Sequence, residues 1–186
     1  MASLYGSQRQ AFECIIGNRE SVLVQSARRH GKSYLSAMTA AAMMSNNDGC
    51  TVVLHTTGVR SALSFSQRVE DAVGVHIGVL KKNRFMLKLK NGAQLITRNT
   101  NNQKEEFYSK GNDSVSLVIF DEVGFMKAGL LEKYKSMHPH AVFLMTCTPT
   151  SDECVSNILK EVQVDGMRII KLQMTEEEIR HFNQLN

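Results

Sequence analysis

The chain has 186 residues, 42% of them apolar and 22% charged, which is the balance of a globular domain and excludes a fibrous or disordered one. Its length predicts a single domain, 1–186, with little room for a second. No apolar run approaches the roughly 18 residues of a bilayer span, the segment from Met1 to Gln10 lacks the basic start and apolar stretch of a signal peptide, and a net charge of +4 permits a nucleic-acid partner without demonstrating one, so the expected setting is intracellular, without a membrane.

Short apolar or β-branched runs alternate with longer helical patterns, the signature of βαβ units and a mostly parallel sheet, so the fold class is α/β. In chain order, Ser21 to Ser26, Thr51 to Thr56, Ser116 to Phe120 and Ala141 to Thr146 read as buried strands, short and without alternation, with a fifth at Met167 to Leu172. Helices are expected over Lys32 to Met44, Val59 to Val73, Ala128 to Ser136 and Ser151 to Val162. A last one starts at Thr175, where Thr175-Glu176-Glu177-Glu178 makes a capping box. Arg84 to Leu89 and Ala93 to Arg98 flank Lys90-Asn91-Gly92, which predicts a β-hairpin inserted between the second and third core strands. Asn99 to Asp113 is polar and reads as a mobile loop. Cys14, Cys50, Cys147 and Cys154 form no CxxC pair, and the six histidines add no zinc-like spacing, which leaves buried free thiols as the expectation.

Ser26-Ala27-Arg28-Arg29-His30-Gly31-Lys32-Ser33 follows the strand residues Val22-Leu23-Val24 and opens a helix, the context a phosphate-binding Walker A loop requires. Backbone N–H groups and a helix N-terminus would face the phosphates, with the Lys32 ammonium on the β and γ oxygens. The Ser33 hydroxyl would serve as an oxygen ligand of Mg²⁺. The loop opens with Ser26 where the consensus has glycine. Further on, Leu117-Val118-Ile119-Phe120-Asp121-Glu122 is an apolar strand ending in two acids, the form of a Walker B strand. Asp121 is placed to hold Mg²⁺, and Glu122 to orient or deprotonate the water that attacks the γ-phosphate. Either Arg28 or Arg29 could stabilise the charge that develops on the γ oxygens. Lys81, Lys82, Arg84, Lys88 and Lys90 crowd the hairpin region and form a candidate DNA-backbone patch; a solvated strand face is the competing reading.

The stretches Val24 to Ser33, Val118 to Phe125 and Thr146-Cys147-Thr148-Pro149-Thr150 together resemble the ATPase domain of viral terminase large subunits, closest to the herpesvirus and tailed-phage type, over about residues 4 to 160. The resemblance implies a P-loop NTPase fold of the RecA/ASCE type, with ATP and Mg²⁺ as cofactors and packaging of double-stranded DNA into a capsid as the work done. It favours Arg28 over Arg29 as the γ-phosphate arginine and gives Gln8, with Gln10 as fallback, the adenine-reading role. It also makes Thr146 and Thr148 the coupling residues. The partners it implies are a portal or procapsid, other terminase subunits, and further copies in a ring inside an infected host cell, the isolated domain being a monomer. Where the family has Arg-Gly ahead of the Walker B strand this chain has Lys110-Gly111, so the trans-acting cation is open among Lys110, Arg60 and Arg98. Nothing after Ser151 offers the acids of a two-metal nuclease, which predicts an excised motor domain or a separately encoded ATPase.

Two alternatives remain. The first RecA-like domain of a superfamily 2 helicase shares these motifs but needs a second such domain, for which 186 residues leave no room. A non-catalytic ATP-binding switch would need neither Glu122 nor Arg28.

Overall fold

The structure is a computed structural model that describes residues 4–73, 77–99, 115–125, 129–149, 160, 162, 166–173, 175, 178 and 180. Its elements run α1 (Gly6–Ile16), β1 (Val22–Gln25), α2 (Lys32–Asn46), β2 (Thr51–Thr56), α3 (Val59–Val73), β3 (Val79–Lys82), β4 (Met86–Leu89), β5 (Gln94–Asn99), β6 (Val115–Phe120), a 3₁₀ turn (Val123–Phe125), α4 (Leu130–Met137), β7 (Val142–Cys147) and β8 (Arg168–Lys171). The strands make one eight-stranded sheet in the order β3-β4-β5-β2-β6-β7-β1-β8. From β5 to β8 every pairing is parallel, whereas β3–β4 and β4–β5 are antiparallel.

The parallel strands β1, β2 and β7 are buried along their whole length, as strands covered on both faces must be. One face carries the larger core, where Val24, Val52, Leu54 and Ile119 meet Leu35, Ala40 and Met44 of α2 and Phe65 and Val69 of α3. The other carries a smaller core of Leu23, Val53, Val118, Phe120, Phe143 and Met145, closed by Leu131 and Tyr134 of α4. No helix among the described residues is long and apolar enough to cross a membrane.

The five predicted core strands and the helices at 32, 59 and 128 correspond to β1, β2, β6, β7, β8, α2, α3 and α4, with ends shifted by up to two residues. The capping box at Thr175 is formed, since Thr175 Oγ1 accepts the Glu178 N–H at 3.2 Å and Glu178 Oε2 accepts the Thr175 N–H at 2.7 Å. The helix expected at 151–162 and the loop at 99–113 fall almost wholly outside the described residues, as does Cys154. Cys14, Cys50 and Cys147 are free and buried.

Around 84–98 the hairpin forms, with Gly92 at φ 86° and its N–H donated to the Leu89 carbonyl at 3.1 Å. It falls in the chain between β2 and β6, as expected; β5 pairs in parallel with β2 over six residues and so extends the core sheet, while β3, which the sequence does not signal, adds a further antiparallel strand at the edge. Helix α1 was also unread: its buried positions Gln8, Ala11 and Ile15 follow helical spacing, but a glutamine at one of them hides the apolar stripe.

Candidate active site

Three parallel strands bring the chemistry to one sheet edge. β7 lies between β1 and β6, with Gln25 opposite Cys147 and Phe120 opposite Met145. The residues that follow, the loop from Ser26, Asp121 with Glu122, and Thr146 to Thr148, therefore emerge side by side at the carboxyl ends of the strands, where open α/β sheets bind ligands.

The loop needs a left-handed backbone at two places, Arg29 (φ 64°) and Gly31 (φ 73°); glycine fits the second without strain. Gly31 caps α2, so Lys32 and Ser33 open the helix. Lys32 is only 6% exposed. Its Nζ donates to the carbonyls of Ser26 (3.0 Å) and Ala27 (3.1 Å) and to Thr148 Oγ1 (2.9 Å), and lies 3.3 Å from Glu122 Oε1. Arg28 and Arg29 are exposed, and neither has a protein partner among the described residues. Ala27 is exposed and His30 half-buried.

Across from the loop, Ser33 Oγ donates towards both Asp121 oxygens, each at 3.3 Å. Thr146, fully buried, donates Oγ1–H to Asp121 Oδ1 at 3.1 Å and accepts the Glu122 N–H at 3.0 Å. Thr148 holds Glu122 with its N–H on Oε2 (3.1 Å) and its hydroxyl on Oε1 (3.0 Å). Burial raises the Asp121 carboxyl above the usual aspartate range, and the Glu122 charge pushes the same way, while hydrogen bonds from Thr146 and Ser33 and the Lys32 charge pull it back. The nearby Cys147 thiol is pushed up to about 11, chiefly by burial, which keeps it protonated and unreactive.

A supporting cluster was not read from the sequence. The His55 ring stacks on Phe120 (centroids 4.9 Å) and meets Tyr134 edge-on (4.6 Å), and the His55 carbonyl accepts the Asp121 N–H at 2.9 Å. Burial, with Arg98 nearby, lowers the His55 pKa to about 3, so the ring is neutral. This cluster braces the end of β6 from which Asp121 emerges. Only the histidine inside an otherwise apolar strand could have signalled it.

Oxygen ligands suit Mg²⁺, and the Asp121 carboxylate with the Ser33 hydroxyl supplies two that already face each other. Among the described residues no three His, Cys, Asp or Glu side chains group as a metal cage. Gln8 is fully buried in α1. Its Oε1 accepts the Tyr5 N–H at 3.2 Å, while Nε2 has no partner among the described residues; Gln10 is exposed.

The remaining candidates are dispersed. Lys82 pairs with Glu70 and donates to Gln67 Oε1 (2.8 Å) on α3, Arg84 lies over the Phe85 ring (5.2 Å), and Lys90 folds against Gly78 at the other end of the ribbon. Lys81 and Lys88 face each other across β3 and β4. The five cations are thus not one patch, because the strand pleat and the two turns send them in different directions. Arg60 is exposed in the first turn of α3, Arg98 lies opposite His55 on β5, and Lys110 falls outside the described residues. A cleft of about 590 Å³ lined by Ser21, Lys135, Phe143 and Arg168 opens at the opposite edge, where β1, β7 and β8 begin, and shares no residue with the site.

Neither models of protein families nor curated proteins match the sequence. Solved structures do match in shape. The large terminase of a thermophilic bacteriophage superposes with a TM-score of 0.72 at 11% identity, covering 99% of this chain and 50% of that one. The same protein in complex with ATP-γ-S gives 0.69 at 12% identity, covering 95% and 46%. The large terminase ATPase domain of a Thermus phage gives 0.61 at 15% identity, covering 80% and 66%. The chain spans about half the length of the first of these terminases. Its mostly parallel sheet, with the loop and the acids at one edge, has the fold of a phage large-terminase ATPase domain.

Proposed function

We propose that the chain binds ATP with Mg²⁺ and hydrolyses it, as the motor domain of a terminase-type machine that moves double-stranded DNA into a viral capsid. The observation that carries the proposal is the contact between loop and acids: Ser33 Oγ is 3.3 Å from both Asp121 oxygens, and Lys32 Nζ is 3.3 Å from Glu122. One triphosphate and its cation can therefore touch both. Ser33 and Asp121 would hold Mg²⁺, whose chemistry here is to bridge and neutralise phosphate oxygens. The backbone from Ser26 to Gly31 would wrap the phosphates, and Lys32 would exchange its carbonyl acceptors for β and γ oxygens. Glu122 would position the attacking water and take its proton, and Arg28, exposed and without a partner among the described residues, would reach the γ oxygens.

Thr148 joins Lys32 to Glu122, and Thr146 joins Asp121 to the Glu122 backbone, so both threonines would register whether the γ-phosphate is present. Gln8 keeps two Nε2 protons and an Oε1 lone pair, the complement of the adenine N7 and N6–H₂ edge. A ring of copies on a portal, with Arg60, Arg98 or Lys110 acting across the subunit boundary, belongs to the same proposal.

The test is Mg²⁺-dependent ATP hydrolysis by the purified chain and its Glu122→Gln variant. The variant should lose about 10² to 10⁴ in rate, the usual contribution of a positioned general base, while binding ATP as tightly as wild type. Equal rates in the two proteins would refute the reading and favour a nucleotide-binding switch.

A further inference from the structure

The β3–β4 ribbon at the sheet edge has two chemically different faces. Leu87 and Leu89 of β4 point into the larger core, and Lys82, directly opposite Leu87, shares that side and is tied to Gln67 and Glu70 of α3. Strand alternation then sends Lys88 to the far side. Lys81 lies directly opposite Lys88 and accompanies it, because a bulge at Leu80 shifts the register by one residue. Lys81 is exposed and Lys88 half-exposed. Like charges facing each other across two strands destabilise a sheet. Nothing among the described residues offsets this pair: neither lysine has an acid partner there, and the row continues on β5 with Gln94, opposite Lys88.

We infer that this far face, through Lys81 and Lys88, is the surface on which the phosphate backbone of double-stranded DNA lies. Two ammoniums whose Cβ atoms are roughly 5 Å apart can straddle a phosphate, which removes the repulsion the fold otherwise carries. Main-chain strand addition by a peptide is disfavoured here, since the bulge and the lysines blunt β3 as a pairing edge, leaving a ligand recognised by charge. The lysines do not serve the nucleotide. β4 and β1 are five strand spacings apart, roughly 24 Å, well beyond the screening length of about 8 Å in physiological salt. The assignment rests on the motor reading only for the identity of the partner; the surface itself stands on the register and the charge.

The experiment titrates a fluorescent random-sequence duplex with the purified chain across a salt series, beside a polyglutamate probe, and measures ATP hydrolysis on the same samples. The variant Lys81→Glu with Lys88→Glu should bind the duplex at least tenfold more weakly, with a salt slope shallower by about two. Lys81→Gln with Lys88→Gln should lose part of the affinity at a slightly raised melting temperature, because the repulsion is removed, and Lys82→Gln should bind as wild type does. The assignment is overturned if the wild type does not bind duplex, if it prefers polyglutamate, if the double reversal binds normally, or if Lys82→Gln weakens binding as much as the double reversal. Absent hydrolysis in the wild type would instead count against the motor reading, with the binding result unaffected.

Discussion

Replacing Thr146 by valine keeps the side chain's shape and removes one oxygen that serves two partners. Thr146 is fully buried, donates to Asp121 Oδ1 at 3.1 Å and accepts the Glu122 N–H at 3.0 Å. A hydrogen bond to a charged group contributes about 1.5 to 3 kcal/mol, and an orphaned buried N–H costs about 1 to 3 kcal/mol. Some of this returns, because Glu122 sits at φ 63° and the loss of its anchor releases a conformation that costs about 1 to 2 kcal/mol in a residue with a side chain. The net loss should be about 2 to 4 kcal/mol, or a fall in melting temperature of roughly 5 to 15 °C for a chain of this size. The Thr146 hydrogen bond also holds the Asp121 pKa down, so the variant's Mg²⁺ dependence should move to higher pH. Thermal unfolding and Mg²⁺-dependent hydrolysis across pH, with Thr146→Ser as the rescue, read all of this. Loss of under about 0.5 kcal/mol, the scatter expected of a change without a specific mechanism, or a serine variant as impaired as valine, would refute the bridging role.

His55→Phe should flatten the acid limb of the stability curve. The ring's pKa falls from 6.5 unfolded to about 3 folded, so the unfolded chain binds the extra proton between these values. Stability then falls as pH drops below 6.5, by about 1.4 kcal/mol per unit. Denaturant midpoints of the two proteins compared pH by pH cancel the contribution of Asp121, and parallel curves would disprove a buried neutral His55. Arg28→Ala should lower hydrolysis about 10³-fold or more, whereas Arg29→Gly should keep it and raise stability by about 1 kcal/mol by relieving a left-handed arginine. Steady-state rates and melting curves check both, and the reverse pattern would transfer the γ-phosphate role to Arg29.

The parts of the fold that were legible are those where local pattern and tertiary setting agree. β6 is apolar to Phe120 and then gives two acids, so the strand and the acids that end it are local. The loop from Ser26 is likewise continuous in sequence, and α3 matches its periodic pattern at both ends. What stayed hidden depends on distant partners. The family resemblance named Thr148, but its contact with Lys32 spans 116 positions, and no local signal tells a threonine that joins lysine to glutamate from one that ends a strand. The lysine cluster looked like one patch because composition carries no face. The bulge at Leu80 decides it, putting Lys81 rather than Lys82 on the side of Lys88. β3 itself, Val79-Leu80-Lys81-Lys82, has too few apolar residues to be read as a strand and exists because β4 pairs with it.

The left-handed backbone at Glu122 explains how two adjacent acids can work on one ligand. In a continuing strand successive side chains point to opposite faces, so Asp121 and Glu122 would diverge. The turn at φ 63° breaks that alternation. Asp121 then faces Ser33 and Thr146 while Glu122 reaches back to Lys32 and Thr148 along the same sheet edge. Backbone strain of this kind persists only where surrounding contacts over-determine it. Here the Thr146 hydroxyl fixes the Glu122 N–H and Thr148 clamps both carboxylate oxygens. The buried Lys32 ammonium and the half-buried Asp121 carboxylate lie within a few ångströms of the same turn, each costly alone and partly offset by the other. Local rules are broken together at one edge of an otherwise consistent parallel sheet, which is where a sequence gives up stability for chemistry.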